Sequence, residues 1–185
     1  LSLHLYRCSK APHSLTASSP ASTAPPQLAI IGGGPAGLMA AEAALRQDAF
    51  RRAGGQVTLY DAMPSLGRKF LMAGKSGLNL THGEDFSTFL TRFGAARENL
   101  EPALRAWTPD DIRAWAAELG VETFVGSSGR VFPTEMKAAP LLRAWLRQLR
   151  DRGLATRVRH RWIGWTAQGA LRFDTPDGQR TVQTP

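Results

Sequence analysis

A glycine-rich turn between an apolar strand and a helix limits the fold of this chain more than any other feature. Residues 27–47 read QLAIIGGGPAGLMAAEAALRQ, which predicts a short strand, a turn and a helix. A second strand, QVTLYD, follows Gly54 and Gly55, which are expected to end that helix. Both strands are apolar, as parallel strands covered on both faces are. The pattern predicts a βαβ unit whose helix packs onto the strands through Leu38, Ala41 and Leu45.

The turn matches the dinucleotide-binding fingerprint G-x-G-x-x-G. Its three glycines allow a tight turn, the close approach of the backbone to a pyrophosphate, and close packing of helix on strand. The pyrophosphate would lie on the N-terminal amides of the helix, where a proline costs little because its missing N–H would be unpaired anyway. An acid at the end of the second strand can accept hydrogen bonds from a ribose diol. The predicted cofactor-binding residues are Gly32, Gly34, Pro35, Ala36, Gly37 and Asp61.

The rest of the chain alternates helical and strand-like segments. Residues 86–107 are expected to be helical, and a helix over 108–120 has Thr108 as its N-cap and Gly120 at its exit. A strand-like VETFVG and a helix over about 138–152 follow. Four strand-like segments come next, the last two separated by the turn signal PDG, which predicts a β meander. The tryptophans are expected to pack in the core or at its edges; they are Trp107, Trp115, Trp145, Trp162 and Trp165.

Composition excludes several classes of protein. The formal charge of +8 would suit nucleic acid, but the arginines are spread along predicted elements without an aromatic RNA-binding signature. We therefore expect a solvated surface and an anionic-ligand site. The single cysteine, Cys8, permits neither a disulfide within the chain nor a cysteine metal cluster, so no metal site and a reducing, cytoplasmic setting are expected. No apolar run approaches the roughly 20 residues that cross a bilayer.

Three segments carry a resemblance to a known family. IGGGPAGLMAAEAA, GRKFLMAGKSGLNLTH and SGRVFPTEMKAAPLLRAWL together resemble bacterial flavoproteins described as NAD(P)/FAD-dependent oxidoreductases or aminoacetone oxidase family FAD-binding enzymes. The resemblance covers residues 27–185. Family members are about twice as long, so this chain, which starts at Leu1 and not at Met, is expected to be their N-terminal portion.

The resemblance implies an α/β fold with a Rossmann-like FAD/NAD(P)-binding parallel sheet. Residues 27–85 and about 120–185 would form this domain, incomplete at its C-terminus, and residues 86–119 would be an inserted helical segment. Residues 1–26 contain no acid and much Ser, Ala, Thr and Pro. They are expected to be a disordered extension, with a transit peptide as the alternative.

The family motif after the second strand is close to G-R-K-x-x-x-[SA]-G-x-G-[RK]-C-N-x-T-[NH], and the resemblance implies that this segment follows the cofactor. Glycines would let the backbone approach the flavin ring, cations would neutralise the pyrophosphate, and amide and hydroxyl groups would bind the flavin edge. Leu78 replaces the usual cysteine, so we expect no cysteine-dependent step there. The residues that this sequence offers to the motif are Gly67, Arg68, Lys69, Gly74, Gly77, Asn79 and Thr81.

Substrate-side residues are less sharply defined by the sequence. The resemblance places SSGRVFP near the reactive face of the flavin, in a turn that includes Arg130 and Pro133. Arg130 would bind an anionic or carbonyl-bearing substrate there, and the alternative is a β-hairpin with an exposed arginine. His82 could transfer protons near neutral pH, although a structural role is favoured. No catalytic residue is assigned.

The function expected is hydride transfer between FAD and a small organic substrate, with NAD(P)H or oxygen completing the cycle. Two alternatives stay open. An NAD-dependent dehydrogenase fits the glycines and Asp61 but does not explain residues 67–82, and an RNA-modifying flavoprotein would use the positive charge. No second Gly-Asp segment occurs before Pro185, so this chain alone is expected to bind FAD weakly, if at all.

Overall fold

The computed structural model of the protein describes residues 24–73 and 77–183. Residues 1–23 of the segment predicted to be disordered, residues 1–26, lie outside the described part of the chain. Gly74 also lies outside it. The helices are α1 (Pro35–Arg46), α2 (Asp48–Arg52), α3 (Arg68–Ala73), α4 (Phe86–Thr91), α5 (Arg97–Ala106), α6 (Pro109–Glu118) and α7 (Ala138–Asp151). The strands are β1 (Gln27–Ile31), β2 (Gln56–Tyr60), β3 (Thr81–His82), β4 (Thr123–Val125), β5 (Arg130–Pro133), β6 (Ala155–Arg157), β7 (Arg161–Trp165), β8 (Leu171–Thr175) and β9 (Gly178–Val182).

A parallel sheet in the order β1-β2-β6 forms the centre of the fold. β1 and β2 pair in parallel from Gln27 opposite Gln56 to Ile31 opposite Tyr60, and β2 pairs in parallel with β6. The α1 helix connects β1 to β2, so the predicted βαβ unit is present. These features confirm the predicted α/β class with a Rossmann-like parallel sheet.

One face of the parallel sheet is covered by helices. The α1 side chains Leu38, Ala41 and Leu45 are buried in one cluster with Val57 and Leu59 of β2, as the sequence predicted. The largest buried side chains of the same cluster are Trp115 of α6 and Trp145 of α7, and α7 also contributes Leu141, Leu142 and Leu149. Both crossover helices of the sheet, α1 and α7, therefore lie on this face.

The opposite face is covered by the β meander. β7, β8 and β9 pair antiparallel in sequence order, which confirms the predicted meander. Leu171 and Phe173 of β8 are buried against Tyr60 and Ala29, and the Tyr60 ring stacks on Phe173 with centroids 4.4 Å apart. The parallel strands are thus covered on both faces, as expected for strands of this composition.

The segment between β3 and β4 is helical, as predicted for residues 86–107 and 108–120. Asp85 caps α4 by accepting hydrogen bonds from the amides of Ser87 and Thr88. Thr108 and Asp111 form a capping box at the start of α6, and this pairs two otherwise free amides. A third sheet, antiparallel and in the order β3-β5-β4, flanks this segment in the chain.

The expected length of the first helix was wrong. The helix expected to run to Gly54 breaks at Gln47, whose extended backbone separates α1 from α2. The break lets Phe50 turn inward against Gly55. A Cβ added to Gly55 would lie 2.4 Å from the Phe50 ring. The meander tryptophans Trp162 and Trp165 are 40% and 54% exposed, so they lie at the edge and not in the core. Every helix in residues 24–73 and 77–183 is too short or too polar to cross a membrane.

Candidate functional site

The glycine turn after β1 borders a crevice of about 220 Å³ at the carboxyl end of the parallel strands. This is the edge of an open α/β sheet where ligands bind. The turn, the residue after β2 and the start of α3 meet there. Six of the residues predicted from sequence line the crevice, namely Gly32, Gly34, Asp61, Gly67, Arg68 and Lys69.

Each fingerprint glycine has its own structural requirement. Gly32 has a φ of +106°, which a residue with a side chain rarely adopts. A Cβ on Gly37 would lie 1.8 Å from the carbonyl oxygen of Gly32, so only glycine lets α1 approach the turn. Gly34 has neither requirement, since its φ is −80° and a Cβ there, as at Gly32, would meet nothing within 4 Å. The backbone at Gly34 therefore faces open space in front of the α1 N-terminus.

Asp61 holds the turn in place. Its Oδ2 accepts a hydrogen bond of 2.6 Å from the Gly33 amide, and its Oδ1 accepts one of 2.7 Å from the Met63 amide. The Gly33 carbonyl in turn accepts a hydrogen bond of 2.7 Å from the Gly67 amide. Each carboxylate oxygen has a further lone pair, so Asp61 can still accept a hydrogen bond from a ligand.

Gly33 was missed as a site residue because the fingerprint treats its position as variable. It is buried, and a Cβ there would lie 2.4 Å from Leu66 and 3.0 Å from Asp61 Oδ2. Glycine is therefore required for Asp61 to reach the turn. The run of three glycines in place of the two that the motif demands was the available signal.

The crevice is electropositive. Arg68 and Lys69 are exposed at the start of α3, and among the residues that the structure describes no carboxylate forms an ion pair with either cation. The N-terminus of α1 has no side-chain cap, so its first amides and the helix dipole face the same space. These features favour binding of an anion, phosphate above all.

Asn79 and Thr81 do not line this crevice. Thr81 lies in β3 opposite Val131 and is only 8% exposed, yet its hydroxyl oxygen has no hydrogen-bond partner within the described ranges. Asn79 is exposed. Leu78, at the usual cysteine position, is buried in the main core and donates its amide to the Met136 carbonyl at 3.0 Å. The position of the family cysteine is therefore a packing position in this chain.

Arg130 lies in a strand and not in the predicted turn. It is the first residue of β5, pairs with His82 of β3, and is exposed. Pro133, also expected in the turn, is the last residue of β5. The connection between β4 and β5 consists of residues 126–129. Gly129 has the positive φ, +77°, that this short connection needs. The arrangement is a β-hairpin that exposes Arg130.

The imidazole of His82 lies against this hairpin within a charged cluster. Its Nε2 is 3.2 Å from the Ser128 carbonyl oxygen, and a Cβ on Gly129 would lie 2.4 Å from its Cε1. Its Nδ1 is 3.3 Å from Glu84 Oε1, without hydrogen-bond alignment. Arg92 hydrogen-bonds Glu84 and lowers the pKa of that carboxyl. The cluster fixes the ring in one orientation.

A buried carboxylate that the sequence analysis missed joins three helices. Glu42 of α1 is 1% exposed, and its Oε2 accepts hydrogen bonds from the indole nitrogens of Trp115, at 3.0 Å, and Trp145, at 2.6 Å. Its Oε1 accepts one of 2.8 Å from Arg46 Nε. The signal was available, because Glu42 is four residues after Leu38 on the buried face of α1.

Residues 26–184 match the family model described as the HI0933-like protein Rossmann domain. The chain belongs to the HI0933-like family. This assignment confirms the predicted relationship to a family with an FAD-binding Rossmann domain, and the narrower likeness to aminoacetone oxidases stays a prediction. A comparison with curated protein sequences finds no match.

The solved structures reported as similar to this HI0933-like chain are distant from it in sequence. The 3-ketosteroid-Δ4-(5α)-dehydrogenase of Rhodococcus jostii RHA1 shares 13% identity at a TM-score of 0.55, over 86% of this chain and 44% of the dehydrogenase. A flavocytochrome c3 fumarate reductase shares 16% identity at 0.52, over 86% and 32%. Thermovibrio ammonificans THI4 shares 15% identity at 0.49, over 86% and 54%. The chain thus spans about half of these proteins or less, and the likeness shows the fold alone.

Proposed function

We propose that this HI0933-like chain binds FAD and forms the cofactor-binding part of an enzyme that transfers a hydride between flavin and a small organic substrate. The electropositive crevice at the carboxyl end of the parallel strands supports the proposal, together with family membership. The FAD, when bound, supplies the redox chemistry. The residues of the chain bind it, orient it and set its electrostatic surroundings.

The open space at Gly34 is the observation that carries the proposal. Its neighbours Gly32 and Gly37 are explained by backbone conformation and packing, but neither reason applies to Gly34, whose φ of −80° and ψ of −177° any residue can adopt. A side chain would enter the space between the α1 N-terminus and the cations of α3. A pyrophosphate in that space would explain why glycine stands there.

The fit of FAD to the remaining residues follows from their chemistry. Asp61 would accept a hydrogen bond from the ribose next to the pyrophosphate, while Arg68 and Lys69 would neutralise the phosphates. The Ala36 amide, one residue into α1, would donate to a phosphate oxygen. Pro35 has no amide proton, and this costs little because an amide at the first position of a helix has no partner within the helix.

The residues of β3 and β5 would serve the flavin and substrate end. The buried Thr81 hydroxyl has no hydrogen-bond partner among residues 24–73 and 77–183 and needs one. A polar edge of the flavin would provide that partner, with Asn79 as a second contact. Arg130 would bind an anionic or carbonyl-bearing substrate. The same proposal includes NAD(P)H or oxygen as the electron donor or acceptor. The enzyme would act in the cytoplasm, on small molecules and not on nucleic acid.

Titration of the chain with FAD, followed by quenching of flavin fluorescence, tests the proposal. Gly34→Val should lower the affinity at least tenfold, since its side chain would fill the pyrophosphate space, while the unfolding temperature stays near the wild-type value. Arg68→Gln should weaken binding severalfold at low salt. Arg143→Gln is the matched control, because Arg143 is equally exposed but lies on α7.

Weak FAD binding by the wild-type chain is expected, and the comparison between variants decides the test. Affinity that is unchanged in Gly34→Val would contradict the pyrophosphate position. Binding of NAD⁺ without binding of FAD would replace the flavin proposal with the nicotinamide alternative, which uses the same glycines and Asp61.

A further inference from the structure

A second cavity, of about 320 Å³, lies beside the α1 N-terminus and outside the cofactor crevice. We call it the tryptophan pocket. Its walls include Pro35, Ala36, Phe70, Trp107, Trp115 and Trp145. Every side chain that lines it is apolar or aromatic, and Pro35 and Ala36 are also the first residues of the cofactor helix. The pocket therefore adjoins the space assigned to the pyrophosphate.

The buried carboxylate of Glu42 determines what this pocket presents to a ligand. Trp115 and Trp145 both donate their indole N–H to Glu42 Oε2. Those two rings are consequently held with their polar atoms engaged behind the wall, and they offer carbon edges and faces to the cavity. Arg46 neutralises Glu42, so no unpaired charge faces the pocket from this network.

The rings are already arranged for aromatic contacts. Trp107 meets Trp115 at a centroid distance of 6.1 Å and an interplanar angle of 77°, and Trp115 meets Trp145 at 4.9 Å and 82°. Phe70 approaches Trp145 at 6.2 Å and 63°. These are edge-to-face pairs, and a flat ring in the cavity would continue the series.

We propose that the tryptophan pocket binds an uncharged, planar aromatic group of about two fused rings, which is part of the substrate of this enzyme. Its volume is at the lower end of the roughly 300–1,000 Å³ typical of small-molecule sites. A charged group would lose its hydration without gaining a partner. The assignment of this group to a substrate rests on the proposed function, because it depends on FAD lying next to Pro35 and Ala36.

The probe for this site is 1-fluoronaphthalene, added to the flavin-free 185-residue chain and followed by ¹⁹F NMR. We expect a saturable shift or broadening of its resonance. 4-Fluoronaphthalene-1-carboxylate has the same rings and a negative charge, so it should bind at least tenfold more weakly to the same wild-type protein. This second measurement needs no variant and is independent of any folding defect.

Two substitutions on α6 locate the binding. Ile112 lines the tryptophan pocket, whereas Ala114 lines only the adjacent cavity that contains Arg46 and Glu118. Ile112→Trp should lower the affinity for 1-fluoronaphthalene at least tenfold by filling the pocket. Ala114→Trp adds a ring to the same helix and should leave it unchanged, and near-ultraviolet circular dichroism checks that both variants fold.

Three results would overturn the proposal. They are no saturable binding of 1-fluoronaphthalene, equal binding of the carboxylate, or binding that is lost in Ala114→Trp but unchanged in Ile112→Trp. Failure here is distinguishable from failure of the flavin proposal. FAD binding without 1-fluoronaphthalene binding rejects the pocket alone. If the chain binds 1-fluoronaphthalene but does not bind FAD, the aromatic site is retained and its assignment to the substrate of a flavoenzyme is rejected.

Discussion

Replacement of Glu42 by Gln should destabilise the protein far more than the same replacement at Glu118. Both carboxylates contact Arg46, through Nε at 2.8 Å for Glu42 and Nη2 at 2.6 Å for Glu118. They differ in surroundings, because the side chain of Glu42 is 2% exposed and that of Glu118 is 52% exposed. Glu118→Gln is therefore a matched control with the same partner and the same change of atoms.

The magnitude follows from the donors that Glu42 accepts. A glutamine has one acceptor oxygen and one NH₂ donor, so its NH₂ must face either Arg46 or the two indole N–H groups. A hydrogen bond to a charged group contributes about 1.5–3 kcal/mol, and breaking a buried charged pair costs about 3–5 kcal/mol. We expect Glu42→Gln to lower the free energy of unfolding by about 3–5 kcal/mol and Glu118→Gln to lower it by under about 1 kcal/mol.

Urea denaturation and thermal unfolding, followed by circular dichroism, measure both values. For a domain of this size, about 3–5 kcal/mol corresponds to a fall in the unfolding temperature of about 6–20 °C. Equal losses at the two positions, or a Glu42→Gln protein as stable as wild type, would refute the reasoning. Either result would mean that the carboxylate does not carry the charge that binds the indoles and Arg46.

Three further predictions concern single positions. Gly37→Ala should lower the free energy of unfolding by roughly 1–3 kcal/mol or more, measured with urea, because its Cβ would lie 1.8 Å from the Gly32 carbonyl oxygen. Hydrogen bonds from the hydroxyls of Ser87 and Thr88, together with their capping amides, lower the Asp85 pKa from 3.8 to about 2. This carboxylate stabilises the fold above its unfolded-state pKa and loses that effect as pH falls through its folded-state pKa. Unfolding measured from pH 5 to pH 2 should therefore depend less on pH in Asp85→Asn. Gly129→Ala should cost about 1–3 kcal/mol for its positive φ and displace the His82 ring, visible as a changed imidazole NMR signal; an unmoved signal would contradict the contact.

The part of the fold that the sequence predicted is local. The strand, turn and helix from β1 to β2 lie within one continuous stretch, and Leu38, Ala41 and Leu45 follow the helical period directly. The crevice was largely predictable for the same reason, since the glycines and Asp61 belong to that stretch and Arg68 and Lys69 come soon after it.

The parts that could not be predicted depend on contacts distant in sequence. Glu42 is 73 residues from Trp115 and 103 residues from Trp145, so the helical period near Leu38 can indicate that Glu42 is buried but not which groups bind its carboxylate. Arg130 was expected in a turn because the pairing of β5 with β3 is not encoded by periodicity. The break at Gln47 depends on Phe50 reaching the core, which a local pattern does not show.

The order of strands in the parallel sheet has a consequence for how the fold can change. β1 and β2 are about 30 residues apart in sequence and β2 and β6 about 100, and the second loop costs only about 1 kcal/mol more in closure entropy than the first. Lengthening the excursion between β2 and β6 by half would add about 0.4 kcal/mol. New substrate-recognition segments can therefore be inserted there during evolution, or by design, without rebuilding the glycine turn and its two flanking strands.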